Sequence, residues 1–160
     1  MASPNGPDPL SPALHGLVMF AINAALKSIK RGGPLIPFVV YDHFDRGRRT
    51  QPFVTDLDQA EGEADPTFDL GASVEAAQAF ARSLSAHAHR AVIAIDAKVT
   101  DPKGHSRDCV LIEAFETGMP HTQQLVQRYQ PALVDRDGRI NKRLVAIGQP
   151  MVGDELSPLW

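Results

Sequence analysis

The sequence predicts an α+β fold: a mostly antiparallel sheet of about five or six strands with two helices packed on one face, in the order α-β-β-α-β-β-β-β. Three observations carry that prediction. Two segments place apolar residues at three- and four-residue steps, the mark of a helix lying on a core. Two long apolar arms flank a turn containing proline and glycine near residue 103, as a strand hairpin does. Further short β-type runs follow with brief connections, which favour antiparallel pairing.

Taken in order, residues 1–10 carry three prolines, a glycine and an asparagine without periodicity, and read as a disordered tail before a single domain over residues 11–160. Ser11 and Pro12 start the first helix as cap and first helical residue. Its stripe is Leu14, Leu17, Val18, Ala21, Ile22, Ala25, Leu26 and Ile29. Lys27, Lys30 and Arg31 suit its C-terminal dipole, and Gly32, Gly33 and Pro34 stop it. Residues 35–41 form an apolar run that suits a strand, with Pro37 pushing it toward an edge or a bulge. Residues 42–50 read as a charged loop and residues 49–55 as a returning strand. The stretch at about 56–70, acidic over its first ten residues, reads as a mobile loop.

Ser73 reads as the cap of a second helix running to about Ala86, with Val74, Ala77, Phe80, Ala81 and Leu84 on its apolar face. The central hairpin follows. Ile93, Ile95, Ala97 and Val99 share a face of its first arm, and together with Val110 and Ile112 they are expected under both helices. Residues 123–129 read as a third long strand, 135–138 as a turn and 143–147 as a fourth strand broken by Gly148, Gln149 and Pro150. Residues 151–160 fit either a short strand or a tail.

Composition removes several function classes. With 160 residues and 43 % apolar content, the chain is long enough for one core. A net charge of −3 lacks the basic field of a dedicated nucleic-acid binder, so Arg46, Arg48 and Arg49 read as a solvated loop. Cys109 is the only cysteine, so no intrachain disulfide forms, and a reducing, cytoplasmic location is expected. The apolar run 14–25 precedes its positive charges, the reverse of a signal peptide, and is too short to span a bilayer, so no membrane association is expected.

No GxSxG, GxGxxG, GxxxxGK[ST] or HExxH pattern occurs, so no catalytic or cofactor signature is present and no cofactor is expected. The candidate catalytic or ligand-binding set is Asp96, Glu113 and Arg128, with Lys98 beside them, on the less apolar hairpin face. Two carboxylates held close would raise one pKa and make an acid–base pair. A solvated face with cross-strand charge pairs is the plainer reading of the same residues. His87 and His89, with His121 or Asp96 as a third ligand, are the candidate metal set, though no metal spacing supports them. Cys109 reads as a packed small hydrophobe.

Leu111, Phe115, Tyr129 and Trp160 are the candidate interface. The resulting expectation is a non-catalytic interaction module, homodimeric through an exposed sheet face, with another protein partner also open. The alternative is a small-ligand binder or hydrolase-like enzyme using Asp96, Glu113 and Arg128.

Overall fold

The computed structural model describes residues 10–31, 35–54, 69–134, 136–142, 144–157 and 159–160. The helices are α1 (Pro12–Lys30) and α2 (Leu70–Ser83), and a short 3-10 turn extends α2 through Ala86. The strands are β1 (Phe38–His43), β2 (Gly47–Pro52), β3 (Ala88–Thr100), β4 (Ser106–Glu116), β5 (Thr122–Gln130), β6 (Leu133–Val134), β7 (Ile140–Lys142) and β8 (Val145–Leu156). Six of them pair antiparallel in the order β2-β1-β3-β4-β5-β8, while β6 and β7 form a small separate hairpin. The α+β class, the antiparallel sheet and the element order are those the sequence predicts. The tail, the helix stop at 32–34 and most of the acidic stretch lie outside the described residues; Leu10 packs on the α1 layer.

The first helix forms as its sequence requires. Ser11 Oγ accepts the Leu14 N–H at 3.1 Å, and Leu14, Leu17, Val18, Ala21, Ile22 and Ala25 bury one stripe. The second begins earlier than expected. Asp69, not Ser73, is its cap, accepting the Ala72 N–H at 3.0 Å, and Gly71 lies within the first turn. Ser73 is buried and turns its hydroxyl back to the Asp69 carbonyl at 2.7 Å.

The helices do not share a face. The α1 stripe packs with Phe38, Val40, Val92, Ala94, Val110 and Ile112, whereas Ala77 and Ala81 of α2 pack with Val39, Ala91, Ile93 and Ile95. Neighbouring strand residues point to opposite sides, so the two helices sandwich the sheet. Residues 91–95 of β3 are each at most 6 % exposed, and a strand buried on both sides needs a layer on each.

The hairpin register explains a second departure. Thr100 pairs with Ser106, enclosing residues 101–105, and the Asp101 carboxylate accepts the N–H groups of Lys103 at 2.9 Å and His105 at 2.8 Å. Gly104 takes the positive φ of +86° that this turn needs. An odd-length loop pairs odd positions with odd ones. Ile93 therefore faces Glu113, and Asp96 faces Val110. The Ile93–Ile95 face continues through Leu111, Glu113 and Phe115, and not through Val110 and Ile112 as expected.

The last strand is not broken at 148–150. It bulges there and continues to Leu156. The two-residue step from Val126 to Arg128 is matched by the four-residue step from Met151 to Ile147, and Gly148 has the positive φ (+67°) of a glycine bulge. Gln127, 3 % exposed, donates its amide to the carbonyls of Arg128 at 2.9 Å, Gly148 at 3.3 Å and Ile147 at 3.4 Å. Gln123 repeats the device at a second irregularity, reaching Gly153 O at 3.5 Å and Gln124 O at 3.0 Å. Beyond β8 the chain returns to the α2 side, where Trp160 Nε1 donates to Ala81 O at 2.9 Å and its ring meets Phe115 edge-on at 5.3 Å.

Replacing Gln127 with Leu leaves these bulge carbonyls without their side-chain donor. Stability is expected to fall by roughly 1–3 kcal/mol, read as a lower urea midpoint at unchanged slope.

Candidate functional site

The three candidates Asp96, Glu113 and Arg128 do not converge. Asp96 lies on the α1 face, across from Val110, while Glu113 and Arg128 lie on the α2 face. Glu113 pairs with Gln124 and Arg128 with Cys109, so four residues of β5 separate them, about 13 Å at the rise of a strand. An acid–base pair of Asp96 and Glu113 would need an even-length hairpin loop, and this loop is odd.

Each carboxylate has its own internal partner. Asp96 Oδ1 accepts the Tyr129 hydroxyl at 3.1 Å. Burial pushes the Asp96 pKa up, the Tyr129 hydrogen bond opposes that, and the Asp108 charge adds to it. Burial, with the charge of Asp96, raises Tyr129 above the ordinary phenol range. On the other face Glu113, 7 % exposed, accepts the Gln78 amide with both oxygens at 3.2 and 3.3 Å. Its carboxyl is raised by burial, against the opposing effects of Gln78 and the Arg82 charge. Cys109 is fully buried and its thiol is pushed up to about 11 by burial and by the charges of Asp96 and Asp108, so it lacks the thiolate character of a nucleophile.

Arg128 differs from both acids. Its side chain is half-buried, and its Nε is enclosed with no hydrogen-bond partner. On the same face Val126 precedes it and Gln130 follows it in β5, Cys109 and Ile147 flank it in β4 and β8, Leu111, Arg107 and Val145 are diagonal, and Ala97 lies one strand further. None of these is a carboxylate. Asp108, the nearest acid in β4, faces the other way and pairs with Lys98 at 3.7 Å. One Arg128 terminal nitrogen reaches to 4.0 Å from where a side chain on Gly148 would begin. An enclosed polar group left unpaired costs roughly 1–3 kcal/mol, and more when it is charged.

The other expected sites are dispersed. His87 and His89 are exposed, His87 stacking on His43 and His89 meeting Phe44 edge-on, while His121 lies in the β4–β5 connection. No cluster of three metal-ligating side chains occurs among the described residues. Arg46, Arg48 and Arg49 belong to the β1–β2 hairpin, where Arg48 pairs with Asp42 at 3.2 Å and lies over Phe20. Of the interface candidates, Phe115 (1 % exposed) and Tyr129 (5 %) are buried within the chain, and Leu111 and Trp160 are half-buried in the α2 layer. They are consumed by the fold and do not form an open patch. The α2 layer covers the face of Leu111 and Phe115, a face expected to be bare, and Tyr129 packs in the α1 layer.

An ionic strap escaped the sequence reading. Arg90 bridges Asp42 at 2.8 Å and Glu116 at 3.2 Å, and Glu116 also accepts the hydroxyl of Ser11, the α1 cap, at 2.6 Å. Burial works against the Arg90 charge, but the two carboxylates outweigh it and hold its pKa above the usual value. Three strands and a helix end meet there, and only the fold brings them together. A cleft of about 320 Å³ between α1 and β8 is lined by Asn23, Leu26, Lys27, Lys30, Leu144 and Ala146. No family model, curated protein or solved structure matches the chain.

Glu113 yields a pH prediction. Its folded pKa is raised, so just above the ordinary glutamate range the folded chain keeps a proton that the unfolded chain has lost. Stability tied to this group is present at low pH and lost as pH rises through that window, the reverse of an ion-paired carboxylate. Glu113→Gln keeps a partner for Gln78 and removes this loss. Urea midpoints measured from about pH 4.5 to 7 are expected to fall less steeply in the variant, with the remaining slope carried in part by Asp96.

Proposed function

We propose that the protein is a non-catalytic interaction module that self-associates along the β8 margin of its sheet, in a reducing, cytoplasmic setting. The supporting observation is the contrast between the two sheet edges. At one edge, β2 is fully exposed and carries Arg48 and Arg49, charges that discourage pairing. At the other, β8 carries Pro150 and a bulge but no charged residue from Val145 through Gly153, and it exposes Val145 (56 %), Val152 (54 %) and Met151 (40 %). Leu133, 46 % exposed, adds to the apolar surface of the segment leading into β8. A long apolar edge strand is a template for another strand.

The location in a reducing compartment draws on Cys109, which is a free thiol. Helix α1 is long and apolar enough to cross a membrane by length and composition, with a mean hydropathy of 1.3, but its stripe is buried against the sheet.

Sedimentation across a concentration series tests the proposal. The wild-type chain is expected to dimerise in the micromolar range, and Val145→Lys with Val152→Lys to weaken the dimer by about tenfold or more, which is about 1.4 kcal/mol. A wild-type monomer at every concentration would sink the reading.

A further inference from the structure

We infer that Arg128 is the anchor of a binding site for an oxyanion, a carboxylate or phosphate group carried by a small molecule, at the β8 bulge. The inference starts from the mismatch at this residue. A guanidinium is charged at every physiological pH and cannot shed its proton to relieve burial, as a lysine can. Its described neighbours on the sheet face are apolar apart from Gln130, which carries no charge, and Arg107, itself a cation, so none of them neutralises it. Buried charges are ordinarily paired, and a native group left unpaired asks for a partner from outside the chain.

The local backbone favours such a ligand. Gly148 lies beside the terminal nitrogens, and only the guanidinium comes near the place where its side chain would be. That opening lies on the outermost strand, so a ligand enters from the sheet margin without displacing a helix. The bulge leaves β8 residues unmatched to β5, and bulges commonly occur beside functional sites. The Nε is enclosed, so a ligand would be met by the terminal nitrogens, one of which lies beside Gly148, and a guanidinium's planar fork suits two oxygens. Arg107, exposed and diagonal across β4, adds a second positive charge about 7–8 Å away on the same face. A small anion fits this setting better than a macromolecular one, because the donors belong to one recessed side chain beside a glycine and not to an extended basic surface.

The test uses the full chain, with inorganic phosphate and malonate as separate probes. Binding is followed by calorimetry and by the arginine Nε–H resonances. The wild type is expected to bind at least one probe saturably, with the Arg128 Nε–H resonance shifting along the titration. Arg128→Gln is expected to weaken binding by roughly tenfold or more, and Arg128→Lys to fall between, since it keeps the charge and loses the fork. Arg107→Gln is expected to produce a smaller loss. Phosphate binding alone assigns the site to phosphorylated ligands, and malonate binding alone to carboxylates. If Arg128→Gln does not fold, the Arg128→Lys comparison and the wild-type resonance shift carry the test. Absence of binding to both probes overturns the inference. So does equal binding by wild type and Arg128→Gln, or binding of an acidic peptide when neither small anion binds. Each titration is repeated at a concentration where sedimentation finds only monomer, so that failure of self-association and failure of anion binding are read separately.

Discussion

Five consecutive β3 residues, Ala91 to Ile95, are buried on both sides of the sheet, and most of the architecture follows from that double burial. A strand with no solvent side cannot be the floor of a two-layer sandwich. It needs α1 against Val92 and Ala94, and α2 against Ala91, Ile93 and Ile95. The small residues matter here. Ala77 and Ala81 of α2 meet β3 at alanine and isoleucine, so the shorter helix lies close to the sheet with few large side chains of its own. Trp160, arriving from the end of the chain, covers Phe115 beyond the reach of that helix.

The other half of the molecule obeys a different constraint. Strand β8 follows β5 with extra residues, and every extra residue frees backbone groups that an edge strand must satisfy. Two buried glutamines four residues apart, Gln123 and Gln127, supply donors from the α1 side. On the α2 side the same irregular edge carries Arg128, whose enclosed Nε has no hydrogen-bond partner among the described residues. Among the described residues, the buried side-chain polar atoms at the centre of the sheet have partners, and the one without is the Arg128 Nε at this margin.

Parts of this were legible in the residues. Both helix stripes, the Pro–Gly turn, the element order and the lone buried cysteine could be read from spacing and residue type. The run Ala-Val-Ile-Ala-Ile also held the signal for a strand covered on both sides, since a half-exposed strand would alternate. Treating it as alternating put both helices on one face. The candidate set Asp96, Glu113 and Arg128 failed for a related reason. Face membership across a hairpin depends on whether the loop length is odd or even, and only hydrogen bonding at Asp101, Lys103 and His105 decides that. Arg128 was visible as a candidate, but its isolation was not, because isolation is a property of neighbours drawn from four strands.

Local chemistry therefore determined this protein's elements. Ser11 and Pro12 start a helix, glycine and proline punctuate the chain, and apolar periodicity names the buried stripes, because each of these acts within a few residues. Only the tertiary structure decided what those elements leave over. Pairing register assigned Asp96 to Tyr129 and Glu113 to Gln78, joined Arg90 to acids from β1 and β4, and left Arg128 without an acid among the described residues. The physical reason is that a charge is satisfied or stranded by groups distant in sequence. No spacing rule within one segment records which of those groups will face it.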